Sequence, residues 1–145
     1  MKHKLLSTDR ERIFLLVLDR DEEAFGAIGE FADAQRIKSA SFTAIGAFRR
    51  ATLGWFDFSA KTYQPIEVNA QCEALSVIGD IAVSDQDNAS VHAHAIVGLW
   101  DGTTRGGHLL KAIVNPTLEI VITETPAHLR RRQRPELGVA LIDLS

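Results

Sequence analysis

Apolar and polar positions alternate between short runs and breaks along most of the chain, and the runs are of strand length. Ile13 to Leu18 is a continuous branched-apolar segment between charges, which predicts a buried strand. Asp19 to Asp21 then offer a helix start with acidic residues suited to the positive end of the helix dipole. Phe25, Ile28, Phe31, Ala32 and Gln35 follow at helical spacing, predicting one amphipathic helix that ends near Ser39 with its apolar face on a sheet.

Beyond the helix the pattern turns to strands. Ser41 to Phe48 and Thr52 to Phe58 read as two strands separated by Arg49-Arg50, and the segment around Pro65 reads as a turn leading into another. "CEALSVIGDIAV" predicts a strand kinked at Gly79, "SDQDNAS" a loop, and Val91 to Trp100 a further strand. Asp101-Gly102 favours a hairpin turn. Next come His108 to Val114 and Leu118 to Thr123, apolar segments broken at Asn115-Pro116, and then a basic link with a short apolar tail. These elements predict one strand-rich domain over residues 1–145, of mixed α and β character with few helices.

Composition narrows the setting. With 145 residues, 46% hydrophobic and 24% charged, the chain suits one domain with its own core. A net charge of -3 removes the general basic field on which non-specific nucleic-acid binding depends. The single cysteine, Cys72, allows no intrachain disulfide and no thiolate-rich zinc site. "IFLLVL" is far short of the roughly 20 apolar residues a membrane span needs, and the N-terminal stretch lacks a signal-peptide pattern. A cytoplasmic protein with no membrane partner is expected.

The candidate chemistry lies in "VHAHAIVG". On a strand, His92 and His94 project from the same face. If the chain doubles back at Asp101-Gly102, His108 lies on the neighbouring strand, with Gly106-Gly107 allowing close approach. Three neutral imidazoles suit zinc, nickel, copper or iron, and leave a fourth position open for water or a carboxylate. Because the rings must be neutral to bind, such a metal should leave below about pH 6. Glu73 is the carboxylate expected nearest, as a fourth ligand, a partner for an imidazole N–H, or a general base. The same histidines also fit half-exposed strand residues or a subunit boundary. His3 and His128 read as solvated, and Cys72 as packed. Arg49 and Arg50 fit an anionic ligand or a neighbouring subunit's carboxylate, or, as such pairs more often do, an exposed edge. Arg130, Arg131, Arg132 and Arg134 form a basic cluster able to touch phosphate, although a solvated loop near the C-terminus is the commoner origin of such a cluster.

"IGAFRRATLGWFD", "CEALSVIGDIA", "VHAHAIVGLWDGTTRGGHLLKAIVNPTLEIVITE" and "GVALIDL", taken in this order, resemble the PPC (plants and prokaryotes conserved) domain family. The resemblance implies a compact α+β domain with a largely antiparallel sheet and a few packed helices, assembling as a homotrimer. It implies a zinc-type site near a subunit boundary at His92, His94 and His108, and it matches Glu73 to the acidic residue of the family's "E-x-L-S" strand. Plant members join the domain to AT-hooks, and prokaryotic members carry a DNA-binding label from that kinship. An AT-hook needs an Arg-Gly-Arg-Pro core, whereas "RRRQRPE" has Gln133 in the glycine's place.

Three functions follow for test. The first is a trimeric metal-binding module for a small ligand or protein partner. The second is a zinc-dependent hydrolase or lyase with Glu73 as base, using a bound water whose pKa falls to about 7. The third is a DNA-binding regulator relying on the arginine cluster, with an affinity that drops steeply in salt.

Overall fold

The computed structural model describes residues 1–7, 11–126 and 128–144. The fold is mostly β, with 64% strand and 8% helix. This corrects the expected α+β arrangement with a few packed helices, since the described residues hold a single short α-helix. The strands are β1 (Lys2–Ser7), β2 (Ile13–Leu18), β3 (Ala40–Asp57), β4 (Thr62–Val68), β5 (Cys72–Val83), β6 (Ala89–Gly98), β7 (Thr104–Glu124), β8 (Arg130–Arg134) and β9 (Val139–Asp143). The helix α1 (Ala24–Ala34) connects β2 to β3.

Two expected breaks are not breaks. Arg49 and Arg50 lie inside β3, where the pairing to β7 steps from Phe48↔Val114 to Arg50↔Ile113. The extra residue forms a bulge, so both arginines point to solvent while Phe48 and Ala51 stay buried. The next irregularity, between Gly46↔Leu118 and Phe48↔Val114, takes up Asn115-Pro116 within β7. Pro65 likewise sits within β4, which among the described residues pairs only with β3 and so lies at an edge where a missing N–H is tolerated.

Helix α1 is shorter at both ends than expected, where a start at Asp19 to Asp21 and an end near Ser39 were read. Asp21 has φ 71° and Arg36 φ 55°, backbone conformations that a helix cannot include. Glu23 is the N-cap, its carboxylate accepting from the N–H groups of Phe25 and Gly26. It also accepts from Ala112 N–H at 3.1 Å, which ties the helix start to β7. Ile28 and Phe31 face inward, and Phe31 meets Phe14 edge-to-face with centroids 5.3 Å apart.

The ladders β3–β5, β5–β6, β6–β7 and β7–β3 are antiparallel and close on themselves. Inside lie Phe42, Phe48, Leu53, Val77, Leu109 and Ile120, among others. β8 joins this body by a single parallel bridge, Val83↔Arg130, and carries β9 as a hairpin. The basic link is therefore a strand. No helix among the described residues is long and apolar enough to cross a membrane. The expectation of a solvated His3 concerns a side chain outside those described; His128 is exposed.

Candidate metal centre

The site is built by the β6–β7 hairpin. Leu99 N–H donates to Thr103 O at 2.8 Å and Gly102 N–H to Leu99 O at 2.9 Å, with Gly102 at φ 81°. Asp101 accepts from the backbone N–H and the hydroxyl of Thr103. This turn sets the register His94↔His108. Gly107 is required beside it, because a Cβ there would lie 2.7 Å from Gly54 O on β3. His92 stands two residues before His94 on the same face of β6.

One ligand atom from each of His92, His94 and His108 lies within 4.8 Å of the others. The ring centroids are 5.0 to 5.3 Å apart. Nitrogens bound at about 2.0–2.1 Å to one tetrahedral ion lie about 3.4 Å apart, so closure needs an inward movement of about 1.4 Å at most between any pair. Burial, then the neighbouring His92 and His94, then Arg131 push the His108 imidazole down to about 4. Burial followed by His92 lowers His94 as well. His94 and His108 are thus disposed to be neutral donors.

Each end of the cluster has a supporting group. Tyr63 on β4 stacks on His108 with centroids 4.4 Å apart, and its hydroxyl lies 3.2 Å from Nδ1, leaving Nε2 for a metal. Asp80, paired with His92 across β5–β6, places Oδ2 3.6 Å from His92 Nδ1. Arg131, 6% exposed, donates to Asp80 Oδ1 and, at 3.0 Å, to Ser90 O. Burial alone would raise the Asp80 carboxyl, but His92 and Arg131 together hold it below the usual carboxylate range.

Glu73 does not join the cluster. It pairs with Gly98 at the opposite end of the hairpin from the Asp80↔His92 pair. Seven residues of strand put it about 23 Å from Asp80. It borders different clefts, with Trp100 and with Leu75 and Glu119. The carboxylate at the site is Asp80. A sequence signal for it existed, because Asp80 and His92 are equally distant from the centre of the loop between β5 and β6. Nothing local to Tyr63 announces its place.

The arginine cluster is internally matched. Arg130 bonds Asp87 Oδ1 at 2.7 Å and Ser84 O at 2.8 Å. Arg131 is committed to Asp80, and Arg132 and Arg134 share Asp143 Oδ2 at 3.1 and 3.4 Å. Arg49 pairs with Asp21 at 2.5 Å, and Arg50 borders a small cleft with Glu67 and Lys111. Cys72 is buried, and burial followed by Glu73 raises its thiol, which makes it a packing residue.

Comparisons with known proteins place these features in context. The model of the Plants and Prokaryotes Conserved (PCC) domain matches residues 6–126. A plant- and prokaryote-conserved (PPC) protein of Pyrococcus horikoshii is 28% identical, with a TM-score of 0.86 over 91% of each chain. A protein of Ralstonia eutropha JMP134, described as a "Putative DNA-binding protein", is 32% identical, with a TM-score of 0.84 over 91% of each chain. A metal-containing protein of Archaeoglobus fulgidus is 30% identical, with a TM-score of 0.83 over 98% of this chain and 99% of that one. No curated protein matches the sequence.

Proposed function

Since this chain belongs to the Plants and Prokaryotes Conserved domain family, we propose that it is a homotrimeric metal-binding module. In it His92, His94 and His108 hold a divalent transition metal, zinc before the others. The observation that carries this reading is the convergence of three ring nitrogens within 4.8 Å on one hairpin. An all-imidazole set suits zinc, and hard oxygen-seeking cations such as magnesium suit it poorly. The metal-containing relative of Archaeoglobus fulgidus supports the same assignment.

When bound, the metal supplies a Lewis-acid centre with at least one position left for a ligand. The protein's own groups do the rest. Tyr63 fixes the His108 ring from one side, and the Arg131–Asp80 pair holds a carboxylate toward His92 from the other. Without Glu73 at the site, the enzyme reading has lost its proposed base. DNA binding draws no support from arginines already matched by Asp80, Asp87 and Asp143.

The trimer draws support from the outward sheet face beside His94. Ile78 lies opposite His94, and Thr43 lies opposite both Ile78 and Val121. Ile45, Ile78, Ile96 and Val121 are 40 to 61% exposed there. Adjoining apolar side chains of this size are what a neighbouring subunit covers. A buried lone cysteine and a reducing cytoplasmic setting agree with each other.

Elemental analysis of purified, untagged protein tests the reading, alongside a His92→Ala/His94→Ala variant. About one zinc per chain, lost in the variant, is expected. No metal in the unaltered protein after incubation with zinc salts refutes it. Light scattering on the same sample should give about three times the 16.0 kDa chain mass.

A further inference from the structure

A groove opens beside the histidines that the metal reading does not use. It is about 770 Å³ in volume, within the ~300–1,000 Å³ usual for small-molecule sites. One side is formed by Phe56, Phe58 and Tyr63 of the β3–β4 hairpin, the other by Leu137, Val139 and Leu141 of the β8–β9 hairpin. Phe58 is 83% exposed, Leu137 47% and Leu141 44%, so large apolar side chains face each other across water. His92 and His108 both line this groove, which places the candidate metal at its edge.

Charge specifies the other end of the occupant. Arg131 on the lining is committed to Asp80, and Lys61 and Glu136 offset one another. Three neutral imidazoles do nothing to cancel the charge of a divalent ion, so the strongest unbalanced field at the groove is positive. The β8–β9 wall is held firmly enough to shape a pocket: Arg130 bonds Ser84 O, Arg131 bonds Ser90 O, and Gln133 N–H donates to Asp85. That wall lies outside residues 6–126, the part matched by the family model.

We propose that the groove binds a small carboxylate with an apolar body, the carboxylate taking the metal's remaining position and the body lying between the two hairpins. The proposal rests on the metal reading above and adds to it the ligand class. Selectivity for the apolar body then resides in the C-terminal hairpin.

The test is calorimetric titration of the zinc-loaded full-length chain with 4-phenylbutyrate, acetate and 4-phenylbutanol. Phenylbutyrate should bind about tenfold or more tightly than either of the others, which lack the body or the carboxylate. Chelating the zinc should weaken phenylbutyrate about tenfold. Leu141→Asp, remote from the ligand histidines in sequence, should weaken it by a similar factor while zinc content and acetate affinity stay constant. If Leu141→Asp misfolds by circular dichroism, Phe58→Asp on the opposite wall replaces it.

Zinc-loaded protein that binds phenylbutyrate no better than acetate, or binds it equally in the folded wall variant, overturns this proposal and leaves the metal reading standing. Protein that takes up no zinc overturns both. A wall variant that changes the oligomeric state while phenylbutyrate fails to bind the parent assigns the groove to a contact between copies, and the proposal falls.

Discussion

Replacing Arg131 by methionine keeps most of the side chain's length and removes its charge and donors. In the folded protein the guanidinium is 6% exposed and bonds Asp80 and Ser90. A hydrogen bond between charged groups contributes about 1.5–3 kcal/mol. The Asp80 side chain is 40% exposed, so water can partly replace the lost donor and the lower end applies. Ser90 O loses a 3.0 Å bond inside the fold, worth about 1 kcal/mol more. Arg131→Met should therefore destabilise the chain by about 2–3 kcal/mol, a fall of about 6–10 °C in melting midpoint at this size.

The assay is thermal and urea unfolding of metal-free protein in chelator, at one fixed protein concentration, at pH 7 and pH 3. Asp80 titrates below its unfolded value because His92 and Arg131 outweigh the effect of burial. Its contribution is thus complete above about pH 4 and disappears as pH falls through the folded value. The gap between parent and variant should shrink at pH 3. A midpoint change under about 2 °C at pH 7, or a gap of equal size at both pH values, would refute the reasoning.

The remaining predictions concern the site and its frame. Because the His108 imidazole is pushed down to about 4, it competes for protons only weakly, and zinc should stay bound to lower pH than free imidazoles allow. Stepwise dialysis should show half-release below about pH 5.5, and half-release at pH 6 or above contradicts the burial argument. Tyr63→Phe keeps the ring on His108 and loses the hydroxyl 3.2 Å from Nδ1. Zinc affinity by chelator competition should drop about tenfold, with a stability change under about 1 kcal/mol. A Cβ on Gly79 would lie 2.3 Å from His92 O and 2.4 Å from the Phe42 ring. Gly79→Ala should therefore cost about 1–3 kcal/mol in urea unfolding and weaken zinc binding by shifting β6. Glu73→Gln should leave zinc content and affinity unchanged; a loss of metal would mean that Glu73 reaches the cluster by some route other than the fold described.

Much of the framework was legible in local patterns. β2 begins and ends where its apolar run does, and β5 and β6 were read as strands with the polar loop "SDQDNAS" between them. His92 and His94 share a face because a strand repeats every two residues, and Asp101-Gly102 announced the turn that brings His108 opposite His94. Each of these inferences needs only one strand or two strands joined by a short turn, so the information lies within a few consecutive residues.

The tertiary structure decided what depends on pairing between distant strands. Arg49-Arg50 and Asn115-Pro116 look like interruptions when read alone. They are bulges because β3 and β7, once paired, hold the flanking residues in register and leave Arg49, Arg50 and Pro116 exposed. Alongside this pairing the described residues hold a single helix, where a few were expected. Long-range pairing brought Tyr63 from β4 and Arg131 from β8 to a site made by β6 and β7, and it carried Glu73 to the far end of β5. The chain's own sequence determined which side chains share a strand face, because that follows from backbone geometry residue by residue. Which strand faces meet was settled only by closing the β3–β5–β6–β7 ring, where burial of one common core selects a single register.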